Sequence, residues 1–289
     1  TTRTGKEEAN ETIGGDATMT ARHGVGLATC LLVAGLAAGT VRAEGDNSIE
    51  SIEKYREALR DGNPAELYEA QGEELWKKPA GPKNVSLEGC DLGMGPGVVA
   101  GAYAHLPKYF KDTDRVQDVE SRVLTCMATL QGIDVKKYVD AAWGSPEKDD
   151  LNAIATYVSG QSKGVKVEVS TAHPKEKAMF DLGRRMFYYQ GGPHDFACAT
   201  CHGQEGVRIR LQELPFIPSP KGAAAGWTSW PAYRVSAGQM WGMQWRLADC
   251  FRQQRFPEPI YASDVTVALS MFMAATADGA TMDTPGIKR

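Results

Sequence analysis

Apolar residues recur at helix-face spacing along much of the chain. In the first of these stretches the sequence Gly62-Asn63-Pro64 interrupts the pattern and predicts a break. The segments between the helical stretches are mostly rich in Pro and Gly, which indicates turns and loops. The pattern predicts a mainly α fold, with helices over residues 48–78, 116–131, 149–158, 178–189, 239–255 and 264–275.

The segment 161–175 is polar and differs from the helical stretches on both sides of it. It includes the alternating sequence from Val165 to Val169, whose period of two is compatible with a short strand. We interpret 161–175 as a linker between two domains, residues 44–160 and residues 176–289.

The N-terminal residues have the features of an export signal. Residues 19–43 combine a basic start with an apolar run from Val25 to Val41 and a small-residue cleavage pattern that ends at Ala43. We interpret them as a secretory signal peptide, preceded by a non-native extension at 1–18. A single membrane anchor is the alternative, although two glycines interrupt the run. The signal predicts a periplasmic protein with no membrane attachment after cleavage.

Composition and charge narrow the class of partner. The chain has 289 residues, of which 42% are hydrophobic, so it can form one large or two ordinary domains. Its formal net charge of −4 is spread without acidic or basic blocks. This distribution does not resemble the electrostatic footprint of a nucleic-acid-binding protein, so we expect no nucleic-acid partner.

The most specific motif is Cys198-Ala-Thr-Cys201-His202. Two cysteines separated by two residues and followed by histidine are the attachment sequence for a c-type haem. Each thiol bonds a haem vinyl group, and the imidazole of His202 becomes an iron ligand. Half of a zinc site is the alternative, but such a site needs a second Cys/His pair at short spacing, which the sequence lacks. We expect one covalently bound haem c.

The two halves of the chain share an internal match. Arg122 lies four residues before Cys126, and Arg246 lies four residues before Cys250. The segment Leu87-Glu-Gly-Cys90-Asp91 aligns with the haem motif, but Leu and Asp replace the first cysteine and the histidine. We therefore predict two tandem cytochrome c-like domains, of which the first has no haem.

The cysteines left after haem attachment and signal cleavage are Cys90, Cys126 and Cys250. In an oxidising compartment Cys90 and Cys126 are the natural disulfide pair of the haem-less domain, with two unpaired buried thiols as the alternative. Cys250 then has no cysteine partner and is a candidate for the second axial ligand of the iron. Met240 and Met243 are the competing ligands, because methionine is usual in small electron carriers.

Arg246 lies one helical turn before Cys250 on the same face. A guanidinium in this position can bind an oxyanion in a bidentate manner. The alternative for Arg246 is an ion pair with a haem propionate or with a surface group. Arg234, Arg252 and Arg255 add positive charge nearby in sequence and are candidates for either role, oxyanion binding or ion pairing.

The sequence from Trp241 to Cys250, WGMQWRLADC, follows a lone haem motif in a duplicated, exported chain. In these features the chain resembles the SoxA family, the catalytic subunits of the SoxAX cytochromes of bacterial thiosulfate oxidation. The resemblance covers about residues 48–280. Because Leu87 and Asp91 depart from the two-haem members, it implies the single-haem type.

The resemblance implies an L-cysteine S-thiosulfotransferase, which joins thiosulfate oxidatively to a cysteine of the carrier protein SoxYZ. It implies that Cys250 is catalytic, ligates the iron opposite His202 and carries a persulfide, and that Arg246 binds the substrate. It also implies a heterodimer with a SoxX-type haem c subunit and a small cytochrome c as electron acceptor. Two other classes stay open: a periplasmic electron carrier with methionine ligation, and a haem subunit or sensor without turnover.

Overall fold

A computed structural model describes residues 54–55, 57–58, 62–209 and 212–288 of the chain. The predicted N-terminal extension and signal peptide lie outside these residues. Within the described residues helix is the dominant secondary structure, as predicted. The α-helices are α1 (Ala65–Lys77), α2 (Val119–Cys126), α3 (Lys136–Val139), α4 (Pro146–Gly160), α5 (Pro174–Tyr188), α6 (Cys198–His202), α7 (Pro220–Trp227), α8 (Met243–Gln253) and α9 (Asp264–Thr276).

The strands are short and form small sheets. Strand β1 pairs antiparallel with β2, and β3 pairs antiparallel with β4. Strand β5 lies between antiparallel β6 and parallel β7 in a three-stranded sheet. The strands are β1 (Lys108–Phe110), β2 (Arg115–Gln117), β3 (Arg208–Ile209), β4 (Gln212–Glu213), β5 (Ala232–Arg234), β6 (Gln239–Trp241) and β7 (Gly286–Lys288).

Each half of the chain is built on a pair of crossing helices, α1 with α4 and α5 with α9. At each crossing a glycine brings two backbones together. A Cβ atom at Gly72 would lie 2.0 Å from the carbonyl oxygen of Ala153, and one at Gly183 would lie 1.9 Å from that of Ala268. Both positions therefore require glycine, because any side chain would push the close-packed helices apart.

The surroundings of the two crossings also correspond. One turn after each glycine an aromatic ring contacts a ring on the partner helix. The centroids of Trp76 and Tyr157 are 6.2 Å apart, and those of Phe187 and Phe272 are 5.3 Å apart. The hairpin β1–β2 precedes α2 in the first half as the hairpin β5–β6 precedes α8 in the second. The match predicted from the cysteines thus lies within a longer structural repeat.

Cys90 and Cys126 form a disulfide across a sequence separation of 36, so the predicted pair is confirmed. Cys90 follows the 3-10 turn Leu87–Gly89, and Cys126 ends α2. Both residues are buried. Closing a loop of this length contributes about 4 kcal/mol to stability in the chain-entropy treatment.

The structure corrects the predicted helix 239–255, because its first residues pair with β5 as strand β6 and α8 begins at Met243. It also contains a helix, α7, in a Pro- and Gly-rich span where periodicity predicts none. Ser219 caps this helix and Pro220 occupies its first turn, a favourable start for a short helix. The predicted strand 165–169 is reduced to an isolated bridge between Lys166 and Thr281.

Buried side chains of both halves belong to one hydrophobic cluster, which includes Trp76, Leu151, Phe187 and Phe272. Val167, in the predicted linker, is buried in the same cluster. The division into domains at 44–160 and 176–289 stays a prediction. Among the helices of the described ranges, none has the length and apolar character needed to cross a membrane.

Candidate active site

The predicted haem motif forms the short helix α6. The side chain of Thr200 turns back toward the start of the helix, where its Oγ1 accepts a hydrogen bond of 2.9 Å from the backbone N–H of Ala197. Cys198 and Cys201 are one helical turn apart and lie on the same side of the helix. Both cysteines are free thiols and partly exposed.

His202 is held in one orientation by the backbone. Its Nδ1–H donates to the carbonyl oxygen of Pro215 over 2.9 Å. Burial lowers the pKa of His202, the hydrogen bond to Pro215 opposes this shift, and the positive charge of Arg246 lowers the pKa further. A neutral imidazole with Nδ1–H bonded in this way presents Nε2 as a metal ligand.

Helix α8 carries Arg246 and Cys250, and side chains from the first half hold its start. The N–H of Gly242 donates to Asn152 Oδ1 over 3.0 Å, and the N–H of Gln244 donates to Glu120 Oε1 over 3.2 Å. A Cβ atom at Gly242 would lie 2.5 Å from Glu120 Oε1, so this approach requires glycine. The first half therefore fixes the start of the helix that bears the candidate catalytic residues.

A cavity of about 840 Å³ lies between α6, α8 and α9. It brings together residues to which the sequence assigned chemistry, among them Cys198, His202, Arg246 and Cys250. Cys201 is not among the lining residues. Burial raises the pKa of its thiol, and Cys250 raises it further, which places Cys201 near Cys250.

The thiol of Cys198 is in a low-polarity environment. Burial raises its pKa to about 11, with a further contribution from Cys250. Gln254 Nε2 is its hydrogen-bonding neighbour, at 3.8 Å from Sγ. Cys198, Cys201 and Cys250 thus lie in one region. Their roles as two attachment cysteines and an axial ligand stay predictions.

Arg246 lines the cavity and is held by a carboxylate on its own helix. Its Nη1 lies 3.1 Å from Asp249 Oδ2. The same carboxylate accepts hydrogen bonds from Arg252 and Gln253, each at 2.6 Å. Because Asp249 divides its charge among these donors, the Arg246 guanidinium keeps hydrogen-bonding capacity toward the cavity.

The structure separates the two competing methionines. Met243 is buried and lines the cavity, whereas Met240 is buried and lies outside the lining. Met240 belongs to β6, before α8 begins. Met243 therefore remains the methionine alternative to Cys250.

The cavity suits a haem. Its volume is in the range of cofactor sites, and apolar side chains supply the larger part of its walls. Phe187 and Leu269 supply part of the apolar wall. Two thiols on one turn and an imidazole with a fixed tautomer are the ligand set that a c-type haem requires.

Sequence reasoning gave no structural place to Arg234, which lines the same cavity from β5. A signal was present, because Pro107-Lys-Tyr-Phe110 aligns with Pro231-Ala-Tyr-Arg234 at the separation that relates Cys126 to Cys250. The contacts of Glu120 and Asn152 with α8 had no such signal, since they join residues distant in sequence.

The fold and the site together define a c-type cytochrome. A family model described as "SoxA/TsdA, cytochrome c domain" matches residues 71–167. The L-cysteine S-thiosulfotransferase subunit SoxA of Hydrogenophilus thermoluteolus is 56% identical over 262 residues, covering 90% of this chain and 96% of that protein. The protein of the same name from Hydrogenobacter thermophilus is 38% identical, over 86% of this chain and 92% of its own length. The chain belongs to the SoxA family.

A solved structure shows the same fold. The crystal structure of SoxXA from P. pantotrophus aligns with a TM-score of 0.67 at 23% identity, covering 82% of this chain and 84% of that one. The cytochrome c domain of the family implies haem c as the cofactor.

Proposed function

We propose that this chain is the catalytic subunit of an L-cysteine S-thiosulfotransferase. The observation that carries the proposal is the shared cavity of the haem motif, Cys250 and Arg246. It places a soft sulfur and an oxyanion-binding group where a redox cofactor would be held. The names of the relatives, at identities up to 56% over nearly their whole length, support the same activity.

The chain holds one haem, in the second of two cytochrome c-like domains. Cys198 and Cys201 would bond its vinyl groups, and His202 Nε2 and Cys250 would ligate its iron. When bound, the haem supplies one-electron redox chemistry beside the Cys250 sulfur. The first half cannot hold a haem in the same way, because Leu87 replaces an attachment cysteine and Cys90 is bonded to Cys126.

The reaction joins the outer sulfur of thiosulfate to a cysteine thiol of the carrier protein. A sulfur–sulfur bond forms, the thiol S–H bond breaks, and the proton goes to water. Two electrons leave one at a time, through the haem subunit partner to a small cytochrome c. The product is a cysteine S-thiosulfonate on the carrier, so the carrier thiol and thiosulfate are oxidised together and the cytochrome is reduced.

Arg246 binds the sulfonate end of thiosulfate. Its guanidinium lines the cavity one turn before Cys250, at a side-chain exposure of 23%. A partly desolvated guanidinium binds oxyanions more strongly than a fully exposed one, because less water competes for its donors. Anchored there, thiosulfate directs its outer sulfur toward Cys250, which carries a persulfide in the resting enzyme.

The partners follow from this reaction. A SoxX-type haem subunit forms a heterodimer with the chain, and the SoxYZ carrier brings its cysteine to the mouth of the cavity. The assembly works in the periplasm after removal of the signal peptide. The likeness to the chain from the SoxXA crystal structure and the names of the relatives support the heterodimer.

The test is a reconstituted assay with the haem subunit, the carrier protein and a small cytochrome c. Cys250→Ala is expected to abolish thiosulfate-dependent reduction of the cytochrome while haem stays attached. Arg246→Ala is expected to lower kcat/KM for thiosulfate by about 100-fold, the value of a lost charge-assisted hydrogen-bond pair. Met243→Leu serves as the matched control and should keep its activity. Wild-type rates in Arg246→Ala would refute the substrate-binding role.

A second candidate is an electron carrier in which Met243 ligates the iron. The observation that favours it is the place of Met243 in the cavity lining. In that case Met243→Leu would lower the reduction potential of the haem and Cys250→Ala would leave it unchanged.

A further inference from the structure

Arg234 is the second guanidinium of the Cys250 cavity. It lies at the end of β5, the central strand of the three-stranded sheet, with β6 on one side and β7 on the other. Its guanidinium carbon lies 5.2 Å from the ring centroid of Trp241, which supports its flat face. The sheet and the ring hold the side chain in place, so Arg234 is positioned rather than freely mobile.

This guanidinium makes no direct ion pair. Its Nε is buried without a hydrogen-bond partner, and no ion pair involving Arg234 occurs in the part of the chain that the structure describes. Burial lowers the pKa of Arg234 and the charge of Arg246 lowers it further, whereas Asp249 and Cys250 act in the opposite direction. Two guanidinium groups close together in a partly buried cavity repel each other and are stabilised by a shared anion.

The corresponding position in the first half holds an arginine whose charge is balanced by other protein groups. Arg122, the counterpart of Arg246, is bonded through Nη1 to both oxygens of Asp112, at 2.9 and 2.8 Å. Its Nε donates to the carbonyl oxygen of Asp91 over 2.6 Å. Its guanidinium carbon lies 4.0 Å from the ring centroid of Phe110. Arg122 is therefore neutralised within the protein.

Both neutralising neighbours are different in the second half. At the same separation that relates Cys126 to Cys250, Phe110 corresponds to Arg234 and Asp112 corresponds to Ser236. The hairpin beside the catalytic helix has thus lost an internal carboxylate and gained a cation. One fold thus carries an arginine balanced by its own carboxylate in one half. In the other half Arg246 shares the carboxylate of Asp249 with Arg252 and Gln253, and Arg234 makes no ion pair of its own.

We infer that Arg234 and Arg246 together form a binding site for a doubly charged oxyanion over Cys250. The inference rests on the proposed function and deepens it, by assigning a second residue to anion recognition. The same chemistry is offered by two sources: the thiosulfate dianion and the two propionates of the haem, which together carry the same charge.

The test compares haem-loaded wild type with Arg234→Gln and Arg234→Lys. Titration calorimetry with sulfate, an unreactive dianion, measures the site without turnover. If thiosulfate is the natural ligand of the site, Arg234→Gln should weaken sulfate binding and raise the KM for thiosulfate by about tenfold or more. The reduction potential of the haem should then be unchanged. If the haem propionates are the ligand, the same variant should shift the reduction potential of the haem and lower the haem content. Sulfate binding should then be unchanged.

Arg208→Gln is the matched control, because it removes one positive charge from an exposed position outside the cavity lining. Arg234→Lys keeps the charge and should recover part of the affinity, which separates a binding defect from a folding defect. If sulfate affinity, KM, haem content and potential in Arg234→Gln all match those of Arg208→Gln, the inference is wrong. If sulfate binding depends on Arg234 but the reconstituted protein does not turn over thiosulfate, the anion site stands. In that case only the proposed function is refuted.

Discussion

Gly183 determines how closely α5 and α9 approach, and these helices also form part of the cavity wall. Phe187 on α5 and Met273 on α9 both line the cavity. The close contact at Gly183 therefore links a backbone crossing to the width of the site. The same contact at Gly72 joins α1 to α4, the helix whose Asn152 holds the start of α8.

Gly183→Ala should destabilise the protein by about 2–3 kcal/mol, because the new methyl group would overlap the carbonyl of Ala268. This loss exceeds the helix propensity that alanine gains over glycine. Chemical denaturation measures it. Gly62→Ala is the control, since a Cβ atom there meets nothing within 4 Å, and it should leave stability nearly unchanged. Equal stabilities of the two variants would contradict the crossing as described.

At this scale the chemistry of the site could be predicted from sequence, since the haem motif and the leftover Cys250 are defined by residue type and spacing. The disulfide between Cys90 and Cys126 was predicted from the cysteines left after haem attachment and signal cleavage, and it is confirmed. The unpaired state of Arg234 could not be predicted, because it depends on which carboxylates reach it in three dimensions.

At the scale of elements, the start of α8 depends on a buried acidic group of the first half. Glu120 and Asp118 lie beneath the first turn, and Gln244 Nε2 donates to Asp118 Oδ2 over 2.6 Å. Burial and, after it, the charge of the neighbouring Asp118 raise the pKa of Glu120 from 4.5 to about 8, against the opposing effect of backbone hydrogen bonds to this carboxyl. Lys148, Tyr103 and Tyr261 are the other titratable groups near this carboxyl.

The raised pKa of Glu120 makes stability depend on pH. The folded protein keeps this proton up to about pH 8, whereas the unfolded chain releases it near 4.5. Between these values unfolding releases a proton, so stability should fall as the pH rises, by up to about 1.4 kcal/mol per pH unit. Denaturation from pH 5 to pH 8 measures the slope.

Glu120→Gln keeps the shape of the side chain without the titration and should flatten this slope. Glu74→Gln, at an exposed position on α1, is the control and should retain it. A wild-type slope in Glu120→Gln would show that another group controls the pH dependence.

The elements themselves were predicted unevenly. The amphipathic helix α5 follows from its apolar period. Helix α9 instead follows from an apolar run, because residues 266–274 are all buried. The division of residues 239–255 into β6 and α8 could not be predicted. Strand β6 forms only by pairing with β5, and the periodicity of a single segment does not show that pairing.

At the scale of the whole molecule, one architecture occurs twice with different chemistry. In the first half a disulfide joins Cys90 to Cys126; in the second, the aligned Cys201 and Cys250 form no disulfide. The first half in turn supplies Asn152 and Glu120 to the start of α8. The first half, whose sequence departs from the haem motif at Leu87 and Asp91, thus supports the helix that carries Arg246 and Cys250.

The repeat could be predicted from sequence because cysteines and arginines keep their spacing. How the halves pack could not be predicted, because the contacts between them join residues such as Glu120 and Gln244 that no local pattern relates. These contacts decide where α8 begins and which way Cys250 faces.

The central claim is that Cys250 is the sulfur opposite His202 across a single haem. The most direct measurement is the electron paramagnetic resonance spectrum of the ferric, haem-loaded protein, compared between wild type and Cys250→Ala. We predict one haem per chain, a low-spin thiolate-type signal in the wild type, and loss of that signal in Cys250→Ala with the haem still attached. An unchanged spectrum in Cys250→Ala, together with a changed one in Met243→Leu, would contradict the claim.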